Sequence, residues 1–239
     1  MKQFNTEVWT ENSGKNNSVA SNVFYSMEKD MKTCYIFGAL DCSVPDFTPQ
    51  ENDLIIAADG GYSTLKKLNI KPDLVVGDFD SLGNVPENEH IIKHPVKKDD
   101  TDTLLAVKIG LEKGYKNFII YGAIGGRLDH TVASIQTATY LAENGGIAYI
   151  YAGSHTVTAI KNSSIKFKDT AKGYISVFAL SGITKGVSIT GLLYELNDAE
   201  ITPHFPIGVS NEFVGKESKI SVTDGVLTII FEGNIDLIK

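Results

Sequence analysis

Cysteine is scarce. Cys34 and Cys42 are the only two in 239 residues and form no Cys-x-x-Cys pair, which excludes a disulfide framework and a cysteine-rich metal site. Two thiols in a chain of this size suit a reducing compartment, so a cytoplasmic location is expected. No stretch approaches the ~18 apolar residues of a membrane span. The N-terminus lacks a basic region followed by an apolar one, so neither a membrane anchor nor a secretory signal is expected. Positive charge is the minority sign, with 22 Lys and Arg against 29 Asp and Glu for a net charge of −7. That balance speaks against a nucleic-acid backbone reader or a membrane-surface binder. A polyanionic ligand would need a local basic patch or metal ions. Also missing are the Gly-x-x-x-x-Gly-Lys-[Ser/Thr] loop, Gly-x-Gly-x-x-Gly, His-Glu-x-x-His and Gly-x-Ser-x-Gly. The five histidines show no metal-ligand spacing.

What remains is ordinary for a folded protein: 42% hydrophobic and 21% charged residues, enough to bury a core without staples. Residues 1–31 form a polar leader, punctuated by asparagines and without sustained periodicity. Strands and helices then alternate. Thr33–Phe37, Leu54–Ala58, Leu74–Val76, Phe118–Tyr121 and Ile147–Tyr151 are short continuous apolar runs, as expected of strands buried on both faces of a parallel sheet. Thr101–Lys113 and Leu128–Asn144 carry apolar residues at three- and four-residue spacing and stop at Gly114 and at Gly145-Gly146.

Past residue 160 the texture becomes β-rich, with runs at Tyr174–Leu180, Val187–Thr190, Lys219–Val222 and Val226–Phe231 separated by glycines. Asp224-Gly225 between the last two predicts a hairpin. The expected architecture is an N-terminal open, mostly parallel α/β sheet domain over residues 32–155, followed by a C-terminal antiparallel β-sandwich over residues 160–239.

Aspartates are unevenly spread: eight of the 16 lie between Asp53 and Asp102. Asp59, Asp78 and Asp80 each follow a predicted strand. Asp99, Asp100 and Asp102 sit at a helix start, and Asp129 follows a strand in Gly-Gly-Arg-Leu-Asp-His. In an open α/β sheet these positions share the edge where ligands bind. Carboxylates crowded there call for a hard cation, and Mg²⁺ takes oxygen ligands and enters with substrate phosphates. The ordinary alternative for Asp100 is a helix cap. Arg127, the only arginine, follows Gly125-Gly126 at a helix N-terminus, where backbone N–H groups and a planar guanidinium suit phosphate.

In order and spacing, Ala58-Asp59-Gly60-Gly61, Gly77-Asp78-Phe79-Asp80-Ser81, Lys98-Asp99-Asp100-Thr101-Asp102 and Gly126-Arg127-Leu128-Asp129-His130 resemble the motifs of the thiamine pyrophosphokinase family. The likeness continues through Gly191–Leu196 and Ser210-Asn211-Glu212. It implies transfer of a pyrophosphoryl group from ATP to the thiamine hydroxyl with release of AMP, and a homodimer with sites between subunits. It further implies that Asp78, Asp80 and Asp102 hold Mg²⁺, and that Asp59 and Asp99 complete the cluster, either one accepting the hydroxyl proton. Lys98, Gly125, Gly126, Arg127, Asp129 and His130 would line the ATP site. Ser210 and Asn211 would contact thiamine from the other subunit, with Tyr194 or a nearby aromatic stacking on it. Two rivals stay open on the residues alone: a metal-dependent glycosyltransferase using Asp-x-Asp, and a non-catalytic nucleotide or thiamine sensor.

Overall fold

The computed structural model describes residues 23–24, 32–45, 47–77, 91–93 and 100–239. Asp78, Asp80, Lys98 and Asp99 lie outside the described residues. The N-terminal half runs β1 (Val23–Phe24), β2 (Thr33–Phe37), β3 (Leu54–Ala58), α1 (Gly61–Lys67), β4 (Leu74–Gly77), β5 (Ile91–Lys93), α2 (Asp102–Glu112), β6 (Asn117–Tyr121), α3 (Leu128–Glu143) and β7 (Ile147–Ala152). The C-terminal half runs β8 (His155–Lys161), β9 (Ser163–Phe167), β10 (Tyr174–Phe178), β11 (Thr184–Thr190), β12 (Leu196–Ile201), β13 (Asn211–Glu212), β14 (Ser218–Ser221) and β15 (Val226–Glu232).

Every residue of β2 and β6 is buried, which is why their sequences read as unbroken apolar runs rather than as alternation. Strands β7, β6, β2, β3, β4 and β5 are parallel neighbours in that order. The two helices end where the glycines predict. The cap of α2, however, is Thr101, whose Oγ1 accepts the Leu104 N–H at 3.2 Å. The β-branched hydroxyl one residue nearer the helix takes the place considered for Asp100.

The α/β sheet does not stop at β7. A two-residue turn, Gly153-Ser154, sends the chain straight back as β8, with Ala152 opposite His155. From there β15, β10 and β13 add on antiparallel, giving one ten-stranded sheet in the order β13-β10-β15-β8-β7-β6-β2-β3-β4-β5. A second sheet, β1-β9-β14-β11-β12, packs against it. The expected open α/β sheet and antiparallel sandwich are both present, sharing strands of one continuous sheet. From the leader, β1 pairs parallel with Ser163 and Ser164 at the edge of the second sheet.

The Asp224-Gly225 hairpin is not formed. Strands β14 and β15 belong to different sheets, so this turn is a corner between layers. Asp224 bridges to Lys185, and the Gly225 N–H donates to Asn162 Oδ1 at 2.8 Å. The reason lies in β15, five of whose seven residues are buried and require a central place in the larger sheet.

Alternation along β2 divides the core. Cys34 and Ile36 face Leu105, Ala106, Ala138 and Leu141 of α2 and α3. Tyr35 and Phe37 face a core continuous with Ile165, Phe167, Val187 and Ile189 of the second sheet. Burying a side chain such as Ile36, Phe118 or Leu141 contributes about 1.5–3 kcal/mol, and all three are fully enclosed.

Candidate active site

The strand order reverses between β2 and β6. The chain leaves β2 toward β3, β4 and β5 on one side, then resumes on the other with β6 and β7. Such a switch point opens a crevice at the carboxyl ends of the strands. Here the loops after β2 and β6 meet backbone to backbone. The Gly38 N–H donates to Tyr121 O at 2.7 Å and the Leu40 N–H to Gly122 O at 3.0 Å. A Cβ on Gly38 would lie 2.6 Å from Gly122 O, and one on Gly122 would lie 2.5 Å from Leu40 O. Glycine is required at both positions for this approach.

A cleft of about 490 Å³ opens above this contact. Ala39 and Leu40 line it from β2, Ala58 and Asp59 from β3, residues 100–103 from the start of α2, and Gly122, Ala123, Gly125 and Arg127 from the loop after β6. His130 and Ser134 of α3 complete the wall, and Ser134 Oγ ties that helix to Ala123 O at 2.7 Å.

Four expected site residues therefore share the cleft with Gly125: Asp59, Asp102, Arg127 and His130. Asp59 is held in a left-handed conformation (φ 51°) with its N–H donated to Val76 O at 2.8 Å. Gly77, the last residue of β4, approaches it so closely that a Cβ there would lie 3.3 Å from Asp59 Cα. Asp102 opens α2, where a carboxylate also complements the helix dipole.

Asp100 also lines the cleft, but Lys108 Nζ donates to both of its carboxylate oxygens at 2.8 and 2.7 Å. This bond raises the Lys108 pKa above its ordinary value. The charge of Asp100 is thus matched by a lysine of α2.

Arg127 caps α3 without a capping side-chain bond. Its Nε and one terminal nitrogen donate to the two oxygens of Asp129, at 3.2 and 2.6 Å. The His130 N–H donates to the same carboxylate at 3.0 Å. The guanidinium's hydrogen bonds hold the Asp129 carboxyl below its usual range and raise the arginine in turn. Both side chains are exposed, and Arg127 is part of the cleft wall. Asp129 borders a neighbouring surface hollow with Leu128, Val132 and Gln136, and Arg127 borders both hollow and cleft. The Gly125 N–H is engaged with Thr131 Oγ1 at 3.2 Å. Gly126, between the two, lies against the Leu40 side chain.

Tyr194, Ser210 and Asn211 gather elsewhere, at the β13 end of the large sheet. Asn211 is buried, Tyr194 is exposed, and Ser210 is left-handed (φ 60°) with its N–H on Ser176 Oγ at 3.1 Å. Three small residues of the cleft wall, Ala39, Gly122 and Ala123, were not singled out by the sequence motifs. Their one signal is a glycine immediately after a buried strand, at Gly38 and Gly122.

Comparison with known proteins bears directly on this arrangement. The thiamin pyrophosphokinase catalytic-domain model matches residues 48–150, and the model of the family's vitamin B1 binding domain matches residues 162–227. A thiamine pyrophosphokinase of Bacillus subtilis is 32% identical over 197 residues, covering 78% of this chain and 92% of that protein. The chain belongs to the thiamine pyrophosphokinase family. A solved Bacillus subtilis thiamine pyrophosphokinase superposes with a TM-score of 0.74 at 28% identity, over 85% of this chain and all of that one. A thiamin pyrophosphokinase from Geobacillus thermodenitrificans shares the fold, with a TM-score of 0.72 at 21% identity over 86% of this chain and 99% of its own. Along the sequence, the cleft residues from Asp59 to Ser134 fall within the catalytic match of this thiamine pyrophosphokinase family member. Tyr194, Ser210 and Asn211 fall within the vitamin B1 binding match.

Proposed function

We infer that this enzyme transfers a pyrophosphoryl group from ATP to the hydroxyl of thiamine, giving thiamine diphosphate and AMP. The observation that carries this reading is the cleft at the switch point, which Asp59, Asp102 and Arg127 line together above the close Gly38–Gly122 contact. Family membership supplies the substrates. The thiamine oxygen attacks the β-phosphorus. A new O–P bond forms, the bond from the β-phosphorus to the oxygen bridging it to the α-phosphate breaks, and AMP departs with that oxygen. The hydroxyl proton passes to a carboxylate, for which Asp59 and Asp99 are the candidates. Such transfers need positioning and charge neutralisation more than covalent help from the protein.

Asp59 and Asp102 both line the cleft and bring hard oxygen donors to it. That donor chemistry fits Mg²⁺, which Asp78, Asp80 and Asp102 would hold. When bound, the ion supplies neutralisation of charge on the phosphate oxygens. Arg127, reinforced by Asp129, would grip the phosphates, with Lys98, Gly125, Gly126 and His130 lining the nucleotide.

Thiamine is assigned to the surface of Tyr194, Ser210 and Asn211. Asn211 on β13 lies five strand positions from β6, about 24 Å along the sheet at ~4.8 Å per strand. One chain's thiamine surface therefore does not reach its own cleft. A homodimer in which each cleft is completed by the partner resolves this. Exposed apolar side chains support it at both ends: Leu128 and Val132 beside the cleft, Leu193, Tyr194 and Val214 on the sandwich. We divide the chain by role into the leader 1–31, the ATP and metal domain 32–155 and the thiamine domain 160–239. Two free thiols, Cys34 and Cys42, suit a cytoplasmic enzyme. Among the described residues no helix is long and apolar enough to cross a membrane.

The reaction is tested by incubating the protein with ATP, Mg²⁺ and thiamine. Equal amounts of AMP and thiamine diphosphate are expected; binding of both ligands without turnover would mean a sensor instead. The shared site is tested by mixing Asp78→Asn with Asn211→Ala at limiting thiamine. Hybrid dimers regain activity if each site draws on two chains, and no recovery despite subunit exchange would place the site within one.

A further inference from the structure

Asn211 is 7% exposed, and its carboxamide is spent on backbone. Its Oδ1 accepts the N–H groups of Tyr194 and Glu212, both at 2.9 Å, and its Nδ2 donates to the Tyr194 carbonyl at 2.6 Å. These are three of the four bonds that an amide can make. The segment it grips is bonded on both sides. The Gly191 N–H donates to Glu195 Oε1 at 2.7 Å, closing the loop on itself. The Leu193 N–H donates to Glu212 O at 3.0 Å, and Leu192, buried, bridges to Phe213. The Tyr194 side chain, in contrast, is 64% exposed. An aromatic ring kept in solvent on an immobilised backbone loses little freedom when a ligand arrives.

We propose that Asn211 is a positioning residue: it clamps the backbone of Tyr194 so that the exposed ring forms a fixed platform for the cationic heterocycle, and it acts on thiamine through that ring. This rests on the assignment of thiamine to the C-terminal half. Only an amide satisfies the arrangement, because it accepts two N–H groups and donates to a carbonyl within one planar group. Aspartate keeps the two acceptances and loses the donated bond.

The test is a double-mutant cycle in the full-length enzyme, with Asn211→Ala, Tyr194→Ala and the pair, reading KM for thiamine, KM for ATP and thermal unfolding. Losing a stacked cation contact should raise thiamine KM by about 3- to 30-fold. Asn211→Ala is expected to raise it in the same range with ATP KM unmoved, and the double variant to be no worse than Tyr194→Ala alone. Effects that multiply would show that Asn211 meets thiamine directly and would overturn the proposal. If Tyr194→Ala leaves thiamine KM unchanged, the platform itself is wrong and the assignment of thiamine to this surface falls with it. Asn211→Asp covers the case in which the alanine variant does not fold. A raised thiamine KM that vanishes in the Tyr194→Ala background supports the clamp. A lowered KM, the signature of a carboxylate touching a cation, contradicts it.

Discussion

Replacing Gly122 with alanine tests whether the backbone contact beneath the cleft matters to catalysis. Gly122 sits at φ +64°, where its Cβ would lie 2.5 Å from Leu40 O and 2.9 Å from Gly38 O. Relief to an ordinary contact of about 3.4 Å requires the 38–40 segment to retreat by about 0.9 Å. The left-handed conformation costs about 1–2 kcal/mol for alanine, and the overpacking a further 1–3 kcal/mol or so. The sum, about 2–5 kcal/mol, lowers Tm by roughly 4–20 °C at ~2–4 °C per kcal/mol for a chain of this size. Because Ala39 and Leu40 line the nucleotide cleft, a displacement near 1 Å should reduce kcat/KM for ATP by about 10- to 100-fold. Gly153 provides the control, with the same φ of +64° and nothing within 4 Å of its Cβ position. Gly153→Ala should cost only the conformational part and leave ATP kinetics alone. Melting curves and steady-state kinetics of the two variants side by side decide the matter. Equal losses of stability with unchanged ATP kinetics in both would refute the claim that this contact shapes the cleft.

Asp78→Asn and Asp80→Asn should each abolish turnover with no change in far-UV circular dichroism, since the amide keeps the shape and loses the charge; turnover within a few-fold of wild type would remove them from the metal set. Arg127→Lys should lower kcat/KM for ATP by about tenfold or more, because lysine cannot reproduce two parallel bonds. Thiamine affinity without nucleotide should be unaffected, and a loss confined to thiamine would reassign the residue. Thiol labelling should separate the two cysteines. Burial, reinforced by Asp53 and Asp73, pushes the Cys34 thiol far up, and burial also raises half-buried Cys42. Native protein is therefore expected to react slowly at Cys42 and only after unfolding at Cys34; rapid native labelling of Cys34 would contradict the packing of β2.

Several elements were legible in the residues because one local force dominates each. Continuous apolar runs marked β2, β3, β6 and β7, and terminal glycines marked the ends of α2 and α3. The meeting of Asp59, Asp100 and Asp102 at one cleft was legible because charge is costly to crowd, so their placement after a strand and at a helix start stood out. The continuous sheet was not. Gly153-Ser154 reads as a boundary, yet β8 behind it is buried along most of its length and pairs with both β7 and β15. Local pattern reports that a strand is buried and not which neighbour covers it. The Asp224-Gly225 corner misled for the same reason. At the cleft, alanine and glycine carry no chemistry to flag them, although their smallness lets the loops meet. Asn211 shows the converse: its residue type announces hydrogen bonding, and only the fold shows that its partner is the Tyr194 backbone.

The most direct measurement of the central claim follows the phosphates of ATP. The enzyme is supplied with Mg²⁺, thiamine and ATP labelled in the α-phosphate or, separately, in the β-phosphate. Attack at the β-phosphorus predicts that the α label appears only in AMP and the β label only in thiamine diphosphate, in equal amounts. Label from the β-phosphate found in ADP, or α label found in the thiamine product, would contradict pyrophosphoryl transfer and the assignment of the cleft to that reaction.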